Sequence, residues 1–370
     1  MWGSLGLIVW SYAGYPLAAA AAGARRRYAP RADDSYAPDV VLVIAAHNEA
    51  PTIGGTLERA LGLDYPGQVE VVVASDGSTD RTAEKVARFA GRGVRLLELP
   101  RAGKVASQNA AVGTSKAEVL AFADANARWE PDALRRLIRH LADPEVGYVC
   151  GRLQLEDADG GDNLEGAYWR FELWLREVES ACGSITAGNG AIYAVRRSAY
   201  LSLGSERSHD LGFPFRLRRR GLRSVYEPGA VARERSLPTT KDEWPRKVRM
   251  LSRAWSEILT GGMLDPEGQP AGYFGALLSH RLLRYASGPL HLVLLVTSLR
   301  LASKDRGARV LLLLQSGGIA LALVGRRSNR VPLANAAWYY AVVNAASVVG
   351  LGRALSRGPD ATWAPERETR

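Results

Sequence analysis

The sequence predicts an α/β protein with a mostly parallel sheet, flanked at both ends of the chain by membrane or interfacial helices. Short apolar runs alternate with helical stretches between residues 40 and 141, which is the pattern of a sheet covered by helices on both faces. Two of these runs are followed directly by an aspartate, Asp76 and Asp124. Charge-free segments stand at the start of the chain and near its end.

Four strands and four helices are predicted in alternation in the first half of the chain. Each strand is a short run of mainly β-branched and other apolar residues, which is typical of a buried parallel strand. Ser78 or Thr79 caps the second helix and Gly91 stops it, while Pro131 opens the fourth. The strands are 40–45, 69–74, 94–99 and 119–123, and the helices are 52–61, 79–91, 104–112 and 131–141.

The alternation ends near Val146, and the second half is predicted as a mixed arrangement. A strand at 146–155 and a long aromatic-rich helix at 163–181 come first. A glycine turn at 188–190 then leads into a strand that ends near residue 195. The remaining predicted elements are a basic helix at 210–221, a strand at 224–226 and a helix at 244–259.

Composition argues against a disordered chain and against one buried wholly in a membrane. Of the 370 residues, 23% are charged and 47% are hydrophobic. The net charge is +10, but no nucleic-acid-binding signature accompanies it, so we attribute the excess arginine to membrane flanks that meet anionic lipid. Cys150 and Cys182 form neither a disulfide framework nor a metal spacing, and buried thiols in a reducing compartment are expected.

Four charge-free segments predict how the chain meets a membrane. The first and the last reach the length of about 20 residues that a spanning helix needs, whereas the middle two are short enough for tilted, interfacial or re-entrant pieces. The segments are 1–24, 285–299, 310–325 and 331–352. Because Arg25, Arg26 and Arg27 follow the first segment, an uncleaved anchor is favoured over a secretory signal, whose positive charge comes first.

The same arginines place the following domain in the cytoplasm by the positive-inside rule. Both connections between the last three segments are basic, so the rule does not orient them, and three crossings and a re-entrant pair remain alternatives. The predicted layout is an anchor at 1–24, an α/β domain at 38–235, amphipathic or interfacial helices at 236–280, a membrane region at 281–352 and a polar tail at 353–370.

The loops after the second and fourth strands carry the strongest chemical signal. Asp76 lies in Ser-Asp-Gly-Ser-Thr-Asp, and Asp124 lies in Asp-Ala-Asn, which ends at Asn126. The carboxyl ends of parallel strands form the edge at which open α/β sheets bind ligands. Oxygens of Asp124 and Asn126 suit Mg²⁺ or Mn²⁺ bound to a diphosphate. Each loop alone is also ordinary turn or capping chemistry, so it is their shared edge that favours a site.

No glycine-rich nucleotide loop is available to hold phosphate. Neither Gly-x-x-x-x-Gly-Lys-Ser/Thr nor a Gly-x-Gly-x-x-Gly after the first strand occurs, which argues against a P-loop NTPase and a dinucleotide oxidoreductase. Lys104, after the third strand, is a candidate for the diphosphate, although a lone loop lysine is more often solvated. Arg246, Arg249 and Arg253 share one helix face, which suits a diphosphate or lipid headgroups equally.

Asp210 opens the basic helix at 210–221. The helix dipole favours an acid at this position, which is the structural interpretation. The functional interpretation is a general base whose pKa is tuned by the preceding His209.

Taken in order, these motifs resemble a family-2 glycosyltransferase with the GT-A fold. The resemblance runs over residues 38–255. It rests on Ala46-His47-Asn48-Glu49, Ser75-Asp76-Gly77-Ser78-Thr79-Asp80, Gly103-Lys104 with Gln108-Asn109, Asp124-Ala125-Asn126, Gly188-Asn189-Gly190-Ala191-Ile192-Tyr193 and Asp210 with its arginine-rich helix.

The resemblance implies roles for individual residues. Asp76 would contact the nucleotide base or ribose, in a pocket also lined by Ala45, His47 and Glu49. The metal pair would be Asp124 and Asn126, and the catalytic base would be Asp210.

The chain departs from the family pattern at three places. His47 stands where an aromatic residue is frequent, and His209 where a second acid is frequent. The Gln-x-x-Arg-Trp of processive polysaccharide synthases has no counterpart, because Arg253-Ala254-Trp255 lacks the glutamine. This argues against synthesis of long chains. The C-terminal apolar segments and Trp363-Ala364-Pro365 are similar to those of membrane-anchored bacterial members that build envelope or secreted glycans.

The sequence therefore predicts a membrane-bound inverting glycosyltransferase of cell-envelope or exopolysaccharide synthesis. The expected partners are a UDP-sugar or another nucleotide-diphosphate sugar, a glycan or lipid-linked acceptor, and membrane lipids, with no nucleic acid. The expected location is the cell membrane, multi-pass, with a cytoplasmic catalytic domain. Two alternatives remain: a nucleotidyltransferase, which releases pyrophosphate and needs no base such as Asp210, and a non-catalytic membrane scaffold, which binds no nucleotide with metal.

Overall fold

The computed structural model describes residues 1–25, 27–156, 164–235, 240–327 and 331–358. Some predicted features lie outside these ranges. They are Arg26, the first residue of the helix expected at 163–181, residues 236–239 of the expected interfacial region, and the expected tail beyond residue 358.

An eight-stranded mixed sheet forms the centre of the described chain. Its strands are β1 (Val40–Ala46), β2 (Val69–Asp76), β3 (Val94–Leu99), β4 (Val119–Asp124), β5 (Arg128–Trp129), β6 (Val146–Glu156), β7 (Ile192–Arg196) and β8 (Arg223–Arg235). Their order across the sheet is β3-β2-β1-β4-β7-β6-β8-β5. The first four are parallel, β7 runs antiparallel to both β4 and β6, and β8 is parallel to β6.

Helices cover both faces of this sheet and continue beyond it. They are α1 (Trp2–Arg25), α2 (Ile53–Leu61), α3 (Thr82–Ala87), α4 (Lys104–Gly113), α5 (Ala133–Ile138), α6 (Leu164–Ala181), α7 (His209–Arg219), α8 (Thr240–Leu259), α9 (Ala271–Tyr285), α10 (Ser287–Leu301), α11 (Arg306–Arg327) and α12 (Pro332–Ser356). The predicted α/β class with a mostly parallel mixed sheet and flanking helices is confirmed.

Alternate residues of each central strand serve opposite faces of the sheet. In β1, Leu42 and Ile44 pack in the core that contains α2, whereas Val41 and Val43 pack in the core that contains α4. A strand that is buried on both faces does not alternate between apolar and polar residues. This explains why the parallel half of the sheet is visible as continuous apolar runs in the sequence.

The prediction for the last strand was too short. A strand was expected only at 224–226, but β8 has 13 residues. The pairing with β6 shifts where Gly151 opposes Glu227 and Arg152 opposes Val231. The residues around Pro228 are therefore bulged out, and the strand resumes after them, which a pattern-based prediction ends at the proline. The two-residue strand β5, which pairs with β8, was not predicted.

Among the residues that the structure describes, two helices are long and apolar enough to cross a membrane, α1 and α11. The pair α9 and α10, bent by 62°, makes a third if it forms one span. The expectation for the N-terminal segment agrees with this finding. The expectations for the segments at 310–325 and 331–352 do not agree with it. The segment at 310–325 was expected to be short but lies within the 22-residue helix α11, while α12 is long enough but is not among the sufficiently apolar helices.

Helix α12 packs on α8. Trp255 of α8 donates from its indole nitrogen to the Ser347 carbonyl (3.1 Å) and hydroxyl (3.2 Å). A Cβ on Gly350 would lie 3.0 Å from backbone atoms of Leu251 and Ser252. Polar groups of α12 therefore take part in the contact with α8, and these groups lower the hydropathy of α12.

Buried ionisable groups attach the N-terminal helix and α9 to α6. Glu179 accepts from the Tyr15 hydroxyl (2.7 Å) and lies 2.6 Å from His280 Nδ1. Glu172 lies 3.1 Å from Arg284 and 3.3 Å from the other nitrogen of His280. Burial alone would raise the pKa of each glutamate, but the neighbouring cationic side chains lower both pKa values. Both carboxylates are therefore held ionised inside the protein.

The close contact at Gly350 leads to a stability prediction. We expect Gly350→Ala to lower the free energy of unfolding by about 1–3 kcal/mol, because the added methyl group presses on the backbone of α8. The matched control is Gly352→Ala on the same helix, where a Cβ meets nothing within 4 Å. This control should be neutral or gain up to about 1 kcal/mol from helix propensity. Thermal unfolding of the purified full chain measures both, and a gain for both variants would contradict the packing.

Candidate active site

The carboxyl ends of the three central parallel strands meet at one edge. Ala45 of β1 pairs with Ala74 of β2 on one side and with Asp124 of β4 on the other. Asp76 is the last residue of β2, and Asp124 is the last residue of β4. The fold therefore brings both predicted acidic positions to the edge at which such sheets bind ligands.

Asp76 fixes the loop that follows β3. Its side chain is only 3% exposed, and it accepts hydrogen bonds from the backbone nitrogens of Ala102 (2.7 Å) and Gly103 (3.0 Å) and from Arg101 Nη1 (2.9 Å). Gly77 has φ +62°, and a Cβ there would meet the Arg101 nitrogen at 2.9 Å. A carboxylate that accepts from two backbone nitrogens and a guanidinium is firmly held, so Asp76 fixes the conformation of residues 101–103.

The loops after β1 and β2 are joined side by side. Asn48, at φ +55°, accepts from the Thr79 nitrogen (2.7 Å) through its side-chain oxygen. The Glu49 nitrogen donates to the Thr82 hydroxyl (2.8 Å). The Glu49 carboxylate accepts from the Thr52 hydroxyl (2.8 Å). These bonds make the predicted nucleotide pocket a preformed surface.

His47 is a buried neutral ring at the floor of the same pocket. Its Nδ1 donates to the Asp76 carbonyl oxygen (2.7 Å). Burial, together with the charge of Arg101, lowers the pKa of His47. A neutral ring fixed through Nδ1–H adds no positive charge to this part of the edge.

Lys104 connects the two halves of the sheet. Its ammonium group donates to the Asp124 carboxylate and, at 3.2 Å, to the Gly190 carbonyl. It begins α4, while Gly190 precedes the antiparallel strand β7. The predicted diphosphate lysine and the predicted metal aspartate are therefore in direct contact, and both side chains are about a third exposed or less.

Glu234 forms an acidic cluster with Asp124 and Asn126. The sequence alone did not indicate Glu234 as a site residue. The Asn126 amide donates to Glu234 Oε1 (2.9 Å). Burial and the charge of Asp124 raise the pKa of Glu234, whereas Arg246 opposes this shift. The residue was missed because the predicted strand ended at residue 226. The apolar residues Val231 and Ala232, just after Pro228-Gly229, were the available signal that the strand resumes.

The acidic cluster fits a hard divalent cation. Asp124, Asn126 and Glu234 offer carboxylate and amide oxygens, which are the ligands that Mg²⁺ and Mn²⁺ accept. Within the described ranges, no group of three or more His, Cys, Asp or Glu side chains is placed to hold a metal. Two carboxylates and one amide leave coordination positions for diphosphate oxygens. Arg246 lies near this cluster, and Arg249 is partly buried one turn further along α8.

Asp210 lies on the antiparallel side of the same edge. It is partly buried near the start of α7, and its carbonyl accepts from the Gly188 nitrogen (2.7 Å). A Cβ on Gly188 would lie 2.0 Å from the hydroxyl of buried Tyr148, so only glycine fits. Burial is the main cause of the raised pKa of Tyr193, and the negative charges of Asp124 and Asp210 raise this pKa further. The two carboxylates therefore lie around the same tyrosine.

His209 belongs to the aromatic core beneath Asp210. Its ring centroid lies 4.7 Å from that of Phe213, and Nδ1 lies 2.6 Å from the Tyr193 hydroxyl. Burial lowers the pKa of His209 to about 3. The ring is therefore neutral, and it adds no positive charge beside Asp210.

Comparisons with known proteins show which proteins this chain is similar to. Residues 41–203 match the model of glycosyl transferase family 2. An N-acetylglucosaminyltransferase of Rhizobium meliloti (strain 1021) is 30% identical over 216 residues, which are 52% of this chain and 50% of the relative. A beta-monoglucosyldiacylglycerol synthase of Nostoc sp. (strain PCC 7120 / SAG 25.82 / UTEX 2576) is 26% identical over 250 residues, 64% of this chain and 53% of the relative. The chain thus spans about half the length of these curated relatives.

A solved structure shares the fold over nearly the whole chain. It is a mannosyltransferase from Pyrobaculum calidifontis in complex with GDP-Man and Mn²⁺, with a TM-score of 0.74 and 22% identity. The match covers 95% of this chain and 98% of that one. The GT-A fold expected from the sequence is confirmed.

The anchoring role of Asp76 leads to a second prediction. In Asp76→Asn the side-chain amide would face the backbone donors of Ala102 and Gly103, so one buried donor loses its acceptor. We expect the free energy of unfolding to fall by about 1–3 kcal/mol. The control is Asp34→Asn, whose side chain is 74% exposed and pairs with Arg139 at 3.5 Å. Denaturant unfolding compares the two, and an equal, negligible effect would show that the carboxylate is not an anchor.

Proposed function

We propose that this chain, whose residues 41–203 match the model of glycosyl transferase family 2, is a membrane-bound inverting glycosyltransferase. It moves a sugar from a nucleotide-diphosphate sugar, with UDP as the expected nucleotide, to a glycan or lipid-linked acceptor. The observation that carries the proposal is the contact of Lys104 with Asp124, beside the Asn126–Glu234 pair and the Asp76 loop.

The nucleoside is assigned to the joined loops after β1 and β2. Asp76 shapes this pocket through its bonds to residues 101–103, and Ala45, His47 and Glu49 line it. His47 is neutral there, so it lines the pocket without adding positive charge. A preformed pocket of this kind binds its ligand without a large ordering cost.

The diphosphate is assigned to the acidic cluster and the basic side chains around it. Asp124 and Asn126, with Glu234 beside them, would hold Mg²⁺ or Mn²⁺. Such a cation supplies positive charge to the departing diphosphate when it is bound. Lys104, Arg246 and Arg249 add fixed positive charge on the protein side, where it stabilises the charge that develops as the bond to the sugar breaks.

Asp210 is assigned as the base. Its carboxylate takes the proton of an acceptor hydroxyl while that oxygen forms a bond to the anomeric carbon. The bond from that carbon to the diphosphate oxygen breaks on the opposite face, so the configuration inverts. The aromatic core around His209 keeps the start of α7 rigid, which fixes the carboxylate relative to the donor.

The membrane assignment rests on helices α1 and α11 and on the bent pair α9 and α10. Arg25, Arg26 and Arg27, which follow the first apolar segment, favour a cytoplasmic catalytic domain. The domain limits 1–24, 38–235, 236–280 and 281–352 are kept as proposals. Synthesis of an envelope glycolipid or an exopolysaccharide fits this location, and the glycerolipid named for the Nostoc relative supports a lipid acceptor.

The base assignment predicts a rate effect. With the full chain purified in detergent and a panel of UDP- and GDP-sugars with Mn²⁺, Asp210→Asn should lower kcat about 10²–10⁴-fold, since the base is lost. Nucleotide affinity should stay unchanged. Asp64→Asn, 65% exposed and remote from the edge, is the control. Full transfer by Asp210→Asn would refute the assignment, and release of pyrophosphate instead of a nucleoside diphosphate would point to a nucleotidyltransferase.

The cluster predicts a metal effect. Glu234→Gln should weaken Mn²⁺-dependent UDP binding about tenfold, because Glu234 supports the residues that hold the cation. UDP binding without metal should stay the same, because no cation is involved in it. Glu130→Gln is the control, since Glu130 pairs with the neighbouring Arg233. Calorimetric titration with Mn²⁺ and UDP measures both. Equal Mn²⁺ dependence in wild type and Glu234→Gln would remove Glu234 from the site.

A further inference from the structure

A buried carboxylate of α8 lies against the start of the helix that bears Asp210. Glu257 is fully buried, and its Oε2 accepts a hydrogen bond from Arg216 of α7 (3.0 Å). Arg207, in the loop before α7, has its Nη1 3.9 Å from the same oxygen. A Cβ on Gly212, in the first turn of α7, would lie 3.5 Å from the other carboxylate oxygen. One side chain of α8 therefore contacts α7 at two places and the loop that leads into it.

Glu257 meets the first turn of α7 on the face opposite Asp210. Gly212 follows Asp210 by two positions, which is about 200° around a helix axis. Arg216 follows Gly212 by four positions and shares its face, and its Nη1 donates to the Gly212 carbonyl (3.1 Å). Glu257 and Arg216 therefore support the turn from one side, while Asp210 lies on the other.

The surroundings of Glu257 suit an anion that is held in one place. Burial raises the pKa of this carboxyl group, whereas Arg216, Arg207 and the backbone N–H of Ser208 oppose the rise. Ser208 is the N-cap residue of α7, and the start of a helix favours negative charge. Arg216 also donates to the Gly261 carbonyl (2.8 Å), and a Cβ on Gly261 would clash with the Glu257 carboxylate. The ion pair is therefore enclosed by protein on several sides.

The other end of α8 reaches the donor side of the active site. Arg246 lies near the acidic cluster, about three helical turns before Glu257. The position of α8 is fixed in turn, because the Trp255 indole donates to the carbonyl and hydroxyl of Ser347 on α12. One helix therefore connects the expected diphosphate site with the helix that carries Asp210.

We propose that Glu257 is a positioning residue for Asp210. It holds the start of α7 against α8, and this contact sets the distance between the Asp210 carboxylate and the anomeric carbon of the donor. Because Glu257 is fully buried, it contacts no substrate and acts only through Asp210. Misplacement of a catalytic group by about 1 Å can cost about 100-fold in rate. This inference rests on the proposed transferase function and names a further residue on which that function depends.

The test measures transfer by the full chain in detergent, with the UDP- or GDP-sugar that the wild type uses and Mn²⁺. Glu257→Gln keeps the shape of the side chain but weakens its bond to Arg216. We expect kcat to fall about 10–100-fold, while the KM for the donor and Mn²⁺-dependent UDP binding stay unchanged. The matched control is Asp265→Asn, since Asp265 pairs with Arg219 at the other end of α7 (3.4 Å). This control should transfer sugar as the wild type does.

A double variant separates positioning of the base from a role in stability alone. In Asp210→Asn the base is absent, so the further change Glu257→Gln should lower the remaining rate less than about twofold. If Glu257 served only the stability of the domain, its substitution would lower the rate by the same factor in both backgrounds.

A second variant covers the case in which Glu257→Gln does not fold. Arg216→Lys should then show the same pattern, because lysine lacks the planar fork that bonds Glu257 and the Gly212 carbonyl together. A wild-type kcat in these variants, or an equal loss with and without Asp210, would overturn the proposal. If the wild type itself transfers no sugar, the proposed function fails, and this inference fails with it.

Discussion

The contact of the Lys104 ammonium group with Asp124 and the Gly190 carbonyl holds the site together. The sheet changes direction between β4 and β7, and nothing in strand pairing alone fixes how the loops on the two sides meet. Lys104 spans this boundary, since it begins α4 on the parallel side and reaches the turn that precedes β7. A cation between a carboxylate and a carbonyl is strongly favoured where solvent is partly excluded. The positions of Asp124 and Asp210 relative to each other follow from it.

The parallel half of the fold could be predicted from the sequence because burial on both faces leaves a direct trace. The strands expected at 40–45 and 94–99 correspond to Val40–Ala46 and Val94–Leu99. The antiparallel half is harder, because β8 is interrupted by a bulge and β5 has only two residues. Neither feature has a periodic signal, since pairing partners far away in sequence decide them.

The same distinction explains which site residues could be found. Asp76, Asp124 and Asp210 stand directly beside recognisable element ends, so position and residue type together identify them. Glu234 stands within a strand beyond a proline, and only the fold brings it to Asn126. His209 shows the reverse case. A histidine beside a candidate base invites a functional interpretation, but its surroundings of Phe122, Tyr200 and Phe213 make it a neutral core residue.

The buried ion network between α1, α6 and α9 has a consequence for how the protein is made. Tyr15 and Glu179 are 164 positions apart in sequence, and His280 follows another 101 positions after Glu179. During translation the first helix leaves the ribosome long before the residues that complete its contacts have been made. Glu172 and Glu179 keep their water until the later cations arrive, because an unpaired carboxylate is not buried at low cost. Closure of the network is therefore a late step of biogenesis, and it locks the opening segment of the polypeptide onto an already formed globular part.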